Sequence, residues 1–215
     1  EFFYNIEPGL ENVIEEKMKG EIAVVGTNAG NLTPEFAELL GLTTDTVVSV
    51  GHGDSEVAAC GTSSVDSGTM IIVMGTSTCH QMIHNTIRDI DGISSVIMDG
   101  MIPGFYAYQS GQPAVGDIFD WYGRNLASAE YIAQAKEEGL SILEYMNKKA
   151  SGIKAGESGL VALDWFNGNR SVLMNYNLTG MIMGLTLQTK PEEIFRALLE
   201  ATAFGTKTII DGYES

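Results

Sequence analysis

The helix that follows Thr189-Lys190-Pro191-Glu192 is apolar on two of its sides, and that restricts what this chain can fold into. Ile194, Ala197, Leu198, Ala201 and Phe204 share one face, while Phe195, Leu199 and Thr202 add a second. A helix resting on one surface needs only one apolar stripe, so two stripes predict burial inside a larger body. The segment before it reads as a capping box with Pro in the first turn. A layered α/β architecture supplies such a seat. The composition agrees, with 25 glycines for tight turns and only 19% charged residues. That balance belongs to a packed domain and not to a disordered chain.

Strand and turn signals fill the remainder. Residues 10–19 read as a helix and 21–25 as a short strand or turn. Thr33 and Pro34 open a second helix as N-cap and first helical residue, and Gly41 closes it. Thr46–Val50 is β-branched and predicts a strand, with a helix over Ser55–Cys60. Gly61–Gly68 is small and polar, a linker or domain boundary. Met70–Met74 and Cys79–Ile83, split by Gly75-Thr76-Ser77-Thr78, predict a hairpin. Ser95–Met101 and Gly104–Gln109 predict another strand pair. Val115–Leu126 and Ser128–Lys149 read as helices, Gly159–Leu163 as a buried strand and Asp164–Asn175 as a loop.

Charge and cysteine content exclude several functions. The formal net charge of −16 opposes a nucleic-acid backbone as partner. No apolar run reaches membrane-spanning length. Cys60 and Cys79 form no Cys-x-x-Cys pair and read as small buried residues. His52, His80 and His84 make no metal pattern, and Trp121 and Trp165 read as core or interface.

Three stretches could carry chemistry. In Val48-Ser49-Val50-Gly51-His52-Gly53-Asp54 a strand runs into Gly-x-Gly and an acid. Ligands bind at such strand ends in open α/β sheets. The carboxylate there could accept a proton from a hydroxyl or help hold Mg²⁺. Asp54 could equally cap the helix at Ser55. In Met74-Gly75-Thr76-Ser77-Thr78 the turn offers amide and hydroxyl donors to phosphate oxygens without positive charge. It lacks the Gly-Lys-Ser/Thr of a Walker A loop, and an ordinary hairpin turn reads the same way. Gln109-Ser110-Gly111-Gln112-Pro113-Ala114-Val115-Gly116-Asp117 is a strand-to-helix passage rich in amides. It suits a polyol, a phosphate at the helix N-terminus, or simply a helix start.

Taken together, these stretches resemble the carbohydrate kinases of the FGGY family. Gly30-Asn31-Leu32-Thr33-Pro34 through Gly41-Leu42 is similar to the segment upstream of that family's catalytic strand. Gly53-Asp54 matches its catalytic Asp, and Gly75-Thr76-Ser77 its second phosphate motif. Gly180-x-Ile182-x-Gly184-Leu185, with Glu193-Ile194-x-x-Ala197-Leu198-x-Glu200 after it, resembles the second family signature. The ribulokinase branch is favoured by Met74–His80, by Gln112–Phe119 and by Ala162-Leu163-Asp164-Trp165-x-Asn167-Gly168-Asn169-Arg170-Ser171.

The resemblance implies an actin-like ATPase, ribonuclease H-like fold containing parts of two domains. Residues 1–66 would end an N-terminal sugar-binding domain, and 67–215 would begin a C-terminal nucleotide-binding domain. It implies ATP-dependent phosphorylation of a ketopentose with Mg²⁺, L-ribulose to L-ribulose 5-phosphate in arabinose catabolism, in the cytoplasm. Asp54 would be the general base, a sugar contact and a Mg²⁺ contact. Gly75, Thr76, Ser77 and Gly111 would meet ATP, and Gln109 the sugar. Sugar and ATP are the implied partners, and a homodimer the implied assembly. Two departures stand out. The family's Asp-Phe-Gly-Thr and Gly-Gly-Gly motifs are absent, so a segment of a longer enzyme, inactive alone, is expected. Gln109 also stands where ribulokinases usually carry Glu. A kinase for xylulose or another polyol, or a non-catalytic sugar- or nucleotide-binding module, remain the alternatives.

Overall fold

The computed structural model describes residues 1–215, which separate into two units, Glu1–His52 and Gly53–Ser215. In the first unit, α1 (Phe2–Ile6) and α2 (Val13–Lys17) precede β1 (Asn28–Asn31), α3 (Pro34–Leu40) and β2 (Val47–Ser49). The helix expected over 10–19 is confined to α2, and 21–25 forms no strand. Helix α3 is built as its sequence predicts. The Thr33 hydroxyl accepts from the Phe36 amide at 3.4 Å, and Gly41 closes the helix at φ 69°. β2 pairs antiparallel with β1. Ala37 is the one buried residue of this unit.

The second unit holds the core. It opens with α4 (Asp54–Gly61), continues through β3 (Met70–Met74), β4 (Thr78–His84), β5 (Ser95–Met98) and β6 (Tyr106–Gln112), and then turns helical. The strands form one antiparallel sheet in the order β3-β4-β6-β5, so the expected hairpin and strand pair merge into a single surface. On one face α4 places Ala59 in a cluster with Ile71, Ile83, Met101 and Ala107.

Helices α5 (Gly116–Asn125), α6 (Ala129–Glu137) and α7 (Ile142–Ala150) follow. Ser128–Lys149 is thus two helices. Gly139 at φ 71° turns the chain, and Ser141 starts α7 with a reciprocal capping box. There the Ser141 amide donates to Glu144 at 2.8 Å, and the Glu144 amide donates to the Ser141 hydroxyl at 3.2 Å. β7 (Val161–Leu163) pairs antiparallel with β8 (Met181–Met183), a strand with no sequence signal strong enough to expect it.

The last helix, α8 (Pro191–Glu214), fills its two-sided role. Phe195, Ala197, Leu198, Ala201 and Ile209 are buried, most of them in a cluster with Ile118, Tyr122, Tyr145 and Met146. Full burial of each large apolar side chain stabilises by about 1.5–3 kcal/mol. Phe204, expected on the inner face, is 64% exposed. Lys190 is the N-cap, and its amide donates to Glu193 at 2.6 Å. Lysine has no acceptor to return that bond. Thr189 instead accepts from the Thr186 amide at 2.9 Å, outside the helix. No helix is long and apolar enough to cross a membrane.

Candidate functional site

Asp54 is the first residue of α4, with Gly53 as N-cap. It is therefore not the cap that its position also allowed. Its Oδ1 accepts from the Ser55 amide at 2.8 Å, and the carboxylate is exposed. An acid in a helix's first turn is favoured by the helix dipole. Helix α4 packs on the sheet whose β3–β4 hairpin closes in a turn. Glu56 contacts Gln81 in mid-strand, whereas Ala59 belongs to the cluster containing Ile83, further from the turn.

That turn is Gly75-Thr76-Ser77. The Gly75 amide donates to Ser77 O at 2.9 Å, and Gly75 and Thr76 are exposed. The turn sits on the start of α5. The Val115 and Asp117 amides donate to Thr76 O at 2.9 and 3.3 Å, and the Gly116 amide donates to Gly75 O at 3.0 Å. A Cβ on Gly116 would lie 2.6 Å from Gly75 O, so glycine permits the contact. The N-terminal amides of α5, where a phosphate is one of three readings of this stretch, are thus occupied by the hairpin.

Gln109 and Gly111 lie on β6. Gln109 is half-buried, donates to Glu56 Oε1 at 2.6 Å and accepts from the Ser95 hydroxyl at 3.3 Å. Gly111 is buried, and a Cβ there would collide with Thr78 O and come 3.2 Å from the Arg170 guanidinium. Its amide donates to the Ser171 hydroxyl at 3.1 Å. Close packing therefore accounts for glycine at 111 by itself. Asp54 and Gln109 are linked through Glu56, while Gly111 faces the 170–171 loop.

The opposite face of β4 and β6 carries a buried polar network under α8. Gln112 Nε2 donates to Asp164 Oδ2 at 2.6 Å and to Thr202 O at 2.8 Å. The Thr206 hydroxyl donates to Gln112 Oε1 at 2.8 Å and lies 3.3 Å from His80 Nε2. Burial pushes the Asp164 carboxyl up, partly opposed by the bond from Gln112. Burial also holds His80 down at about 4, so its ring is neutral. Ser110 on the same face donates to the Tyr213 hydroxyl at 3.1 Å, and burial raises that phenol to about 12. Asp164, Ser171, Gly205 and Thr208 also line a cavity of about 290 Å³. Trp121 packs on Phe166, with ring centres 4.9 Å apart, as a core residue.

Sequence reasoning did not single out Glu56, Gln81, Asp164 or Arg170. Asp164 and Arg170 belong to the stretch that carries the family resemblance, which assigns them no role. Glu56 and Gln81 had no local signal, because their partners come from other elements. No group of three or more His, Cys, Asp or Glu side chains is placed to hold a metal ion.

Residues 70–215 match the C-terminal domain of the FGGY family of carbohydrate kinases. A ribulokinase from Anoxybacillus flavithermus is 49% identical over 213 residues, and one from Halalkalibacterium halodurans 46%. Each match covers 99% of this chain, which spans about 38% of the relative's length. Among solved structures, a xylulose kinase from Rhodospirillum rubrum aligns with a TM-score of 0.67 and 25% identity, over 88% of this chain and 36% of that one. A gluconate kinase from Lactobacillus acidophilus aligns at 0.70 and 22%, over 90% and 37%, a likeness of fold.

Proposed function

The chain belongs to the FGGY family of carbohydrate kinases, and from that membership we propose that it is part of an ATP-dependent kinase acting on a ketopentose, converting L-ribulose to L-ribulose 5-phosphate. The observation that carries this reading is the 49% identity with a ribulokinase over 213 residues. Residues 1–66 would then close a sugar-binding domain and 67–215 begin a nucleotide-binding domain. A place in arabinose breakdown in the cytoplasm follows from the substrate.

Asp54 is the proposed general base. Its carboxylate takes the proton of the sugar's terminal hydroxyl as that oxygen attacks the γ-phosphorus of ATP. The bond from phosphorus to the bridging oxygen breaks, and ADP leaves with the electron pair. Exposure at the first turn of α4 suits that task, since the carboxylate must meet a substrate. Gly75, Thr76 and Ser77 would meet phosphate oxygens through hydroxyls and amides, as the exposure of Gly75 and Thr76 allows. Gln109 would face the sugar, and Gly111 would lie near the nucleotide, with Arg170 over it. Mg²⁺ fits this donor set, because that ion is held by one or two carboxylates together with phosphates and water, and here Asp54 would supply the carboxylate. When bound, it neutralises charge on the transferring phosphoryl group.

The test is Asp54→Asn in the complete enzyme, assayed for ADP release with L-ribulose. Loss of a general base lowers kcat by roughly 10²–10⁴-fold. A loss of only a few-fold refutes the assignment. Gln109, where ribulokinases usually carry Glu, favours a second reading, a kinase for another ketopentose such as xylulose. Comparing kcat/KM across ketopentoses separates the two.

A further inference from the structure

Glu56 stands two residues after Asp54 on α4, and its carboxylate is held from three sides. Oε1 accepts from Gln109 Nε2 at 2.6 Å and from Gln81 Nε2 at 3.5 Å, and Oε2 accepts from the Ser55 hydroxyl at 3.0 Å. The Gln81 amide also donates to Ser55 Oγ at 3.2 Å. Gln81 and Gln109 face each other across the β4–β6 ladder, and Gln109 faces Ser95 across β5–β6. A polar row thus crosses three strands and converges on one carboxylate. The side chain also folds back over Gly53, leaving no room for a Cβ there.

Apart from Glu56 and Ser55, α4 is held on the sheet through Ala58 and Ala59. The helix has eight residues, and its one buried residue, Ala59, lies toward its C-terminal end. Bonds from amides to a carboxylate are charge-assisted and roughly twice as strong as neutral ones. Gln109, with its nitrogen on Glu56 and its oxygen on Ser95, is part of that support. Gln81 is three residues from Thr78, so the grip lies roughly 10 Å along the strand from the turn.

We propose that Glu56 is the positioning residue for Asp54. By binding Gln81 and Gln109 it fixes the first turn of α4 to the sheet. It thereby sets the Asp54 carboxylate relative to the Gly75–Ser77 turn that ends β3. The proposal rests on the kinase reading of Asp54 and Gly75–Ser77.

The test uses the complete enzyme with Glu56→Ala, Glu56→Gln, Gln81→Ala and the Glu56→Ala/Gln81→Ala double variant. Glu56→Ala is expected to lower kcat about 10–100-fold, the scale of a 1 Å misplacement, with KM for the sugar little changed. Glu56→Gln keeps an acceptor oxygen for both amides and should restore most of that loss. The double variant should be no worse than Glu56→Ala, because the two residues act as one unit. Deuterium uptake across Gly53–Gly61 should rise in Glu56→Ala. Unchanged kcat, unchanged uptake, or Glu56→Gln as impaired as Glu56→Ala overturns the proposal. So does a raised KM with intact kcat, which marks a substrate contact instead. If Glu56→Ala does not fold, Gln81→Ala decides: reduced kcat supports the grip, and wild-type kcat overturns it. A wild-type enzyme that phosphorylates no sugar, or full turnover by Asp54→Asn, refutes the kinase reading and the proposal with it. Deuterium uptake tests the grip independently and tells the two failures apart.

Discussion

Two glycines seven residues apart in α8 should answer the same substitution with opposite signs. Alanine in a helix interior is better than glycine by about 0.8–1.0 kcal/mol, so propensity favours both changes. At Gly212 the new Cβ would meet only Val172 Cγ1, at 3.9 Å, an ordinary contact. Gly212→Ala should therefore stabilise, by somewhat less than about 1 kcal/mol so near the helix end. At Gly205 the Cβ would lie 2.5 Å from Gln112 Nε2 and 2.6 Å from Asp164 Oδ2. Real atoms do not approach so closely, and Gln112 and Asp164 are only 3% and 6% exposed. Their 2.6 Å bond must open to admit the methyl group. A bond to a charged group is worth about 1.5–3 kcal/mol. After the propensity gain, Gly205→Ala should destabilise by about 0.5–2 kcal/mol, which lowers Tm by about 2–4 °C for each kcal/mol in a chain of this size. Thermal unfolding followed by circular dichroism measures both variants. A Gly205→Ala protein as stable as the wild type refutes the claim that Gln112 and Asp164 fill that space.

His80 makes stability pH-dependent. The unfolded chain takes up its proton near 6.5 but the folded protein only near 4. The contribution is therefore complete above about pH 6.5 and is lost as pH falls toward 4, by about 2 kcal/mol between pH 7 and 5. Asp164, pushed up by burial, works in the opposite sense, since its folded form takes a proton first as pH falls. Urea unfolding of wild type and His80→Gln isolates the histidine: the variant should lose less stability over that range, and equal slopes refute the assignment. Leu198 is fully buried, so Leu198→Ala should cost about 2–5 kcal/mol by the same measurement, and a loss below about 1 kcal/mol would contradict its place in the core.

Local chemistry made part of this legible in advance. Thr33, Pro34 and Gly41 are start and stop signals whose bonds close within a few residues, so α3 formed as expected. The Met70–Met74 and Thr78–His84 hairpin was similarly self-contained. Ser128–Lys149 misled because helical periodicity continues through a break made by Gly139 and Ser141. β8 escaped because three residues flanked by glycines give too short a pattern. The site divides along the same line. Asp54 and Gly75–Ser77 belong to compact motifs, whereas the Glu56–Gln109 bond spans 53 residues and the Gln112–Thr206 bond 94. Such pairings depend on the register of β4 against β6, which no window of sequence contains.

The seating of the β3–β4 turn on α5 has an electrical consequence. A helix start carries about half a positive charge, and here the carbonyls of Gly75 and Thr76 are plugged into it. Each of those peptide units continues the alignment of the helix's own, so the turn acts as one more layer of the same dipole stack. The positive end is carried outward to an exposed loop that has no lysine or arginine. On a molecule of net charge −16, an anion arriving there would meet a local field built from backbone alone, opposed at longer range by the protein's overall charge.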